Sequence, residues 1–377
     1  MDVFDTPYFR TNKLLLSFTG LWPSQSSNKN RILYTCTILG ILILILPQIA
    51  YLFKHAINLT DYYDALPSLT GAFICLMKTI GISSKSNEFR MLVQHVQYDW
   101  CLLGNHETIQ ILIKYMERSR MFTKAYLIFI STGAISFVTA PITIPIFDFV
   151  LSSNVTRPKS LPHSSEYFLD LEKYYYLLLV ITFIGYFIAV TAVIAIDIIY
   201  FLMLQHSCGM LAILSHRLEN FITCNKSKCV DRNSISNNQM IQLIESTFAI
   251  CFIIDIGLGV LLQCSACVMI VTNRNTMVLI KNGPLLILQN FRIFFNSWLG
   301  QEIIDHSSQV SISAYNGMWY QTSLEVKKMF SFLLMKCQKP YHITMAKLYV
   351  ISLENYSMIM KTSASYVTLM ISLNSDE

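Results

Sequence analysis

Seven apolar runs, at 32–53, 66–83, 125–150, 174–204, 246–271, 284–304 and 349–373, dominate this 377-residue chain. At about 1.5 Å rise per residue, each can cross a hydrocarbon layer roughly 30 Å thick as a helix. Lipid offers no partner to a backbone N–H or C=O, so segments of this length must satisfy themselves internally, and a helix does so within one segment. Charged residues make up only 14% of the chain, where soluble domains carry about 25%. The expectation is an all-α membrane protein, a single seven-helix transmembrane domain over 1–377, with no internal repeat or flexible linker. No short apolar core with a small-residue cleavage site precedes the first run, which is therefore expected to act as an uncleaved signal anchor.

Basic residues set the direction of threading. With the N-terminus in the cytosol, the inner segments hold nineteen Lys and Arg, among them Arg10, Lys85, Arg118, Arg217 and Lys336, while the outer loops hold six. Seven spans then bring the C-terminus outside. The sequons Asn58-Leu-Thr60 and Asn154-Val-Thr156 fall in the first and second outer loops, so Asn58 and Asn154 are candidate glycosylation sites. Of the ten cysteines, none falls in an outer loop, which argues against structural disulfides. Cys264 and Cys267 have the spacing of a metal or redox half-site but lie in an apolar run with no second pair.

Apolar residues at helical spacing continue into the inner segments: Phe89, Leu92, Val96 and Trp100; Ile109, Ile113 and Met116; Leu211, Leu214 and Leu218. Cys224–Asn238 is polar and reads as a loop. The inner helices either pack within one chain or form a subunit interface, and periodicity does not separate the two.

Enzyme signatures are missing. No glycine loop is built to cradle phosphate, no serine sits in a nucleophile elbow, and the eight histidines show no metal-ligand pairing. No catalytic residue, metal site or cofactor is assigned, and no basic run suits nucleic acid. Asp231-Arg232-Asn233 resembles the acidic-basic triplet of rhodopsin-like receptors but sits after the fourth span, and no Asn-Pro pair occurs.

Charges inside spans are costly and need partners. Arg292 is nearest mid-depth, with Asp197 and Asp255 as candidate carboxylates. Lys78 lies near the inner end of its span, where it can snorkel. The last run carries Ser352, Ser357, Thr362, Ser363, Ser365, Thr368 and Ser372, and only Asn374–Glu377 follow it. A polar stripe of this kind suits a helix that packs against others or lines a wet path, and the short remainder disfavours a receptor coupled through a tail. Lys361, one heptad after Glu354, is expected to face a hydrated vestibule. Toward the outer halves of four spans, Leu69, Phe73, Phe137, Ile144, Phe147, Tyr175, Leu178 and Phe291 could line a small apolar cavity that binds a volatile or otherwise hydrophobic molecule by burial.

Several of these stretches together resemble the insect odorant receptor family. They are Asn12-Lys-Leu-Leu-Leu16 with Gly20-Leu-Trp-Pro23, then Asp99-Trp100, and above all a C-terminal block. That block runs Trp298-Leu-Gly-Gln-Glu302, Ser307, Tyr315, Trp319, Gln338-Lys-Pro340, Ile343-Thr-Met-Ala-Lys347, Ser352-Leu353, Lys361-Thr-Ser363 and Ser365-Tyr366. Ser297, Met345 and Val367 depart from the family's usual residues. The gustatory receptors carry a Gln-Phe pair where this chain has Ile371-Ser372.

The resemblance implies an odorant-gated, non-selective cation channel subunit, a multi-pass protein of the plasma membrane of olfactory neuron dendrites. It would work in the lipid bilayer as a heterotetramer with a shared co-receptor and detect small hydrophobic odorants. By similarity the last helix lines the pore. Thr362, Tyr366, Leu369 and Leu373 share one face, and Leu369 and Leu373 would form a constriction that closes by dewetting. Ser365, Thr368 and Ser372 lie to one side. The competing reading packs the Leu face and turns the hydroxyl face to the pore. The functional alternatives are a metabotropic seven-helix chemoreceptor, a gustatory-type channel and a transporter. Epitope tags at Met1 and Glu377 should report opposite sides of the membrane, inside and outside respectively; any other result sinks this threading.

Overall fold

Long apolar periodicity becomes long helices. In a computed structural model, residues 3–54, 59–103, 106–150, 161–220, 228–272, 276–345, 347 and 349–375 are described. They form α1 (Arg10–Phe18), α2 (Ser27–Lys54), α3 (Leu59–Ser84), α4 (Ser86–Leu102), α5 (His106–Val150), α6 (Leu171–Glu219), α7 (Lys228–Thr272), α8 (Thr276–Asn316), α9 (Leu324–Cys337) and α10 (Leu353–Ser375). Six of the seven expected spans fall inside α2, α3, α5, α6, α7 and α8. The seventh starts later than expected: Tyr349–Val350 is a strand, β2, paired antiparallel with β1 (Thr344–Met345). A further bond from Ile351 N–H to the Ile343 carbonyl, 2.9 Å, extends this hairpin. It satisfies the backbone before α10 begins, so Ser352 precedes the helix. The polar stretch expected as a loop is also partly helical, because α7 already runs from Lys228.

Among the described residues five helices, α2 and α6 entire and the greater parts of α3, α5 and α7, are long and apolar enough to cross a membrane by length and composition. The other two expected spans carry polar residues that lower their hydropathy. In α8, Gln289, Asn296 and Ser297 are buried inside the bundle. In α10 the hydroxyls recur along the helix.

Helix α6 is the axis of the fold. The Asp170 side chain caps it, accepting from the Glu172 N–H at 3.1 Å. Every residue from Thr191 to Leu211 is buried, because α1, α2, α3, α5, α7 and α8 all pack around it. A helix that is apolar on every side demands such a setting. Its first half instead exposes Leu177, Val180, Ile184 and Phe187, a stripe at helical spacing suited to lipid. At 49 residues, α6 is about 70 Å long, so it projects well past one side of a bilayer.

The projecting ends form a second packed layer. Phe89, Leu92 and Val96 of α4 are buried as their spacing predicts, against α7. Leu211, Leu214 and Leu218 of α6 join Val310 and Ala314 of α8 and Phe330 of α9. Glu302 of α8 accepts from Arg118 at 2.5 Å and from Gln205 at 2.6 Å. The Arg118 guanidinium also lies 5.4 Å from the centre of the Trp298 ring. The block Trp298–Glu302 thus ties α5, α6 and α8 together. On α9 the packing is one-sided: Leu324, Phe332 and Met335 remain exposed.

In the membrane layer, α2 and α6 approach at glycines. A Cβ on Gly185 would lie 2.8 Å from Leu44 Cδ2 and 3.2 Å from the Gly40 carbonyl, and one on Gly40 2.7 Å from Ile188 Cδ1. Small residues permit this close crossing. Gly185→Leu should overpack the crossing at a cost of about 1–3 kcal/mol or more, read as loss of the monodisperse peak on fluorescence-detected size exclusion. Gly257→Ala, where a Cβ meets nothing within 4 Å, should leave that peak unchanged.

Candidate ligand cavity and gate helix

Five helices each send one polar side chain to a common buried point. Lys78 of α3 donates to Asp197 of α6 at 2.5 Å and pairs with Asp255 of α7. Arg292 of α8 meets Asp255 at 2.6 Å and lies 3.5 Å from Asp197. Tyr126 of α5 donates to the other Asp197 oxygen at 2.6 Å. Two cations face two carboxylates, so the cluster is neutral as a whole. Arg292 has the carboxylate partners that its depth requires. Lys78 departs from expectation: it is 1% exposed and does not snorkel, because both carboxylates lie within reach on neighbouring helices.

One helical turn away from this cluster lies a cavity of about 120 Å³. Its walls come from Leu44 of α2; Gly71, Ala72 and Cys75 of α3; Ala134 and Phe137 of α5; Tyr186, Ala189 and Val193 of α6; Leu262 of α7; and Leu288, Gln289 and Arg292 of α8. Small residues on facing helices leave the space, and Arg292 joins its polar end to the charge cluster. At the other end the segment before α6 folds over the bundle. His163 is 2% exposed and its Nδ1 lies 3.2 Å from the Tyr186 hydroxyl. Glu166 donates its N–H to the Pro47 carbonyl at 2.9 Å and pairs with Lys54 at 3.0 Å.

The residues expected at such a cavity are placed as follows. Phe137 is in its wall, edge-on to Tyr186 with ring centres 5.6 Å apart. Leu69 and Phe73 pack in the α2–α3 cluster with Ile41, Leu44 and Ala72. Tyr175 and Leu178 are buried in the first half of α6. Phe291 stacks in an aromatic group with Tyr126 and Phe295, at 6.1 and 5.7 Å. Ile144 and Phe147 belong to α5, but their side chains lie outside the described residues, as do Asn58 and Asn154. Sequence reasoning passed over Gly71, Ala72, Ala134, Ala189 and Gln289. The one available signal was small residues recurring on α3 and α6 a turn or two from the buried charges.

Helix α10 packs against α7 and α8. Ile359 and Ser363 are buried, Tyr356 meets Phe294 at 5.5 Å between ring centres, and Cys264 approaches the Ser363 carbonyl at 3.9 Å. Cys264 of the Cys264–Cys267 pair therefore serves as a packing residue. On the remaining surface, Glu354, Ser357, Lys361, Thr362, Ser365, Tyr366, Thr368, Leu369 and Ser372 are exposed. The side chain of Leu373 lies outside the described residues. The hydroxyls of Thr362, Ser365 and Ser372 donate to carbonyls of their own helix at 2.9, 3.0 and 2.8 Å. Among the described residues, Leu369 and the hydroxyl face are thus both uncovered in a single chain.

The cluster makes a direct prediction. Lys78→Met leaves a carboxylate uncompensated and should cost about 3–5 kcal/mol, measured as a loss of folded, detergent-extracted protein. Adding Asp255→Asn restores neutrality and should recover part of that yield.

The fold and the sequence both have relatives. The chain superposes on the insect olfactory receptor OR5 of Machilis hrabei with a TM-score of 0.84, over 97% of this chain and 98% of that one, at 13% identity. Against the structure of the same receptor in complex with eugenol, the TM-score is 0.81 over 97% of each chain, also at 13% identity. In sequence it is 25% identical over 122 residues to Odorant receptor 10 of Aedes albopictus, 32% of each chain. It is also 28% identical over 82 residues to the odorant receptor coreceptor of Drosophila melanogaster, 22% of this chain and 17% of that one. The match thus spans about a third of the length of the mosquito relative. The 7tm Odorant receptor family model matches residues 58–364, most of the chain, and with an all-α membrane fold beneath that match, this chain belongs to the odorant receptor family of multi-pass membrane proteins.

Proposed function

We propose that the chain is the ligand-tuning subunit of an odorant-gated, non-selective cation channel, assembled with a shared co-receptor in a heterotetramer in the plasma membrane of olfactory neuron dendrites. In this reading residues 1–377 form one seven-span domain with the N-terminus cytosolic and the C-terminus outside, and Asn58 and Asn154 face the exterior. The odorant occupies the cavity between α3, α5, α6 and α8, and α10 lines the pore.

One observation carries this reading: α7 and α8 wall the cavity and also hold α10. Leu262 lines the cavity, and the next residue, Gln263, donates to Asn290 of α8 at 3.1 Å and approaches the Met360 sulfur of α10 at 3.7 Å. Gln289, beside Asn290, lines the cavity again. A ligand that fits better when α7 and α8 are displaced therefore biases α10 by its differential affinity for the two arrangements. The exposed face of α10, with Thr362, Ser365, Tyr366, Leu369 and Ser372, and Leu373 beyond them, supplies the pore surface. Leu369 and Leu373 act as the dewetting constriction. The exposed apolar face of α9 supplies a contact to neighbouring subunits.

Current recordings with the co-receptor test each part. Gly71→Phe, which fills the cavity, should weaken ligand-evoked current at least tenfold while surface expression persists. Leu369→Ala should raise basal current or change ion selectivity. Odorant-evoked current should survive in cell-free patches with no nucleotide. If the first two substitutions are silent, the site assignment falls; if current disappears on excision, a metabotropic route replaces the channel.

A further inference from the structure

The cavity is apolar along most of its wall and donor-rich at one end. Gln289 is 2% exposed. Its amide donates one proton to the Asp255 backbone carbonyl at 3.2 Å, and its Oε1 accepts from Arg292 Nη1 at 3.4 Å. The amide is held there by a glycine: a Cβ on Gly259 would lie 2.1 Å from Gln289 Nε2, so the side chain occupies the space a larger residue would take. Arg292 offers five N–H groups and no acceptor. One Nη2 proton goes to Asp255 and one Nη1 proton to Gln289, while Nε, 3.5 Å from Asp197, makes no hydrogen bond among the described residues. The guanidinium side chain retains 11% exposure and lines the cavity. The acceptors nearby are held by cations and a hydroxyl: Asp197 by Lys78, Arg292 and Tyr126, Asp255 Oδ1 by Arg292 and its Oδ2 by ion pairing with Lys78 alone, and Gln289 Oε1 by Arg292.

Donors outnumber acceptors at this end, and the neighbouring charges already cancel. An added cation would find no free carboxylate, and an added anion would lose its hydration in a buried space beside two carboxylates. A hydrocarbon of the right shape would fill the cavity but leave the donors unanswered. The size of the space matches a small ligand, since a cavity of about 150 Å³ accommodates benzene.

From this geometry, and resting on the reading that the cavity is the odorant site, we infer that the preferred ligand class is a small neutral molecule of about one ring. It carries one hydrogen-bond-accepting oxygen, held by Gln289 and Arg292, with its apolar body against Gly71, Ala72 and Phe137. Gln289 is then a specificity-determining residue that separates oxygenated ligands from hydrocarbons of equal shape.

Benzaldehyde and styrene are near-isosteric and differ in the terminal oxygen. With the chain co-expressed with its co-receptor, benzaldehyde should be more potent than styrene by about five- to tenfold, the increment of one neutral hydrogen bond. Gln289→Leu should collapse that ratio toward one, and Gly259→Ala, which displaces the amide, should reduce it by a route that leaves Gln289 in place. Protonated benzylamine should be the weakest of the set. Thermal-shift titration of the purified protein with the same compounds gives a second readout should neither evoke current. Equal potency of benzaldehyde and styrene in the unaltered chain overturns the inference, as does a ratio that both variants leave intact, or the absence of any current or thermal response to either compound. A ligand that opens Gly71→Phe as well as the unaltered chain is a different failure: it removes the cavity from odorant binding altogether.

Discussion

Neutralising charge at membrane depth is the constraint on which this structure depends. Each of Lys78, Asp197, Asp255 and Arg292 would be prohibitive alone in hydrocarbon. Together with Tyr126 they bring α3, α5, α6, α7 and α8 to one point, with contacts at 2.5–2.6 Å. Such a cluster adds little net stability compared with a well-packed apolar equivalent, but losing any one member is severe. Its effect is to define register: a helix that slips by a turn, about 5.4 Å, breaks ion pairs that have no substitute.

That fixed point also organises what lies on either side of it. Toward the segment around His163, facing helices carry small residues and a cavity opens. Toward the far end, α6 becomes buried on every side and the projecting helices pack on Leu211, Leu214 and Leu218. The pair α7 and α8 belongs to both the cavity and α10. Movement of these two helices is therefore felt in both places, and the adjacency of Leu262 with Gln263, and of Gln289 with Asn290, makes the connection one residue long.

Much of the fold was legible because membrane helices announce themselves through unbroken apolar length. The need of Arg292 for a carboxylate was legible too, since the cost of an uncompensated charge inside lipid permits few solutions. The partnership of Lys78 was not, because it depends on which neighbours a helix acquires, and proximity to a span's end suggests snorkelling instead. The β1–β2 hairpin was hidden for a related reason: Tyr349 and Val350 are apolar enough to extend a span, and only the pairing with Thr344 and Met345 reveals where α10 starts. The cavity resisted reading most. Large apolar residues suggest a binding site, yet they fill space. The hollow here opens where Gly71, Ala72, Ala134 and Ala189 stand in its wall, and the absence of side-chain volume leaves almost no mark in a sequence.

The order of the charged residues along the chain has a consequence for biosynthesis. Lys78 precedes its first carboxylate partner by 119 residues. At a ribosomal speed of roughly 5–20 residues per second, its helix waits about 6 to 24 s before Asp197 emerges. Throughout that interval the ammonium has no ion-pair partner in α6 or α7, and the nascent chain must shelter it at the bilayer surface or within the insertion machinery. Completion of α6 is therefore the moment at which α3 can settle to its final depth, and maturation of this protein is timed by its own translation.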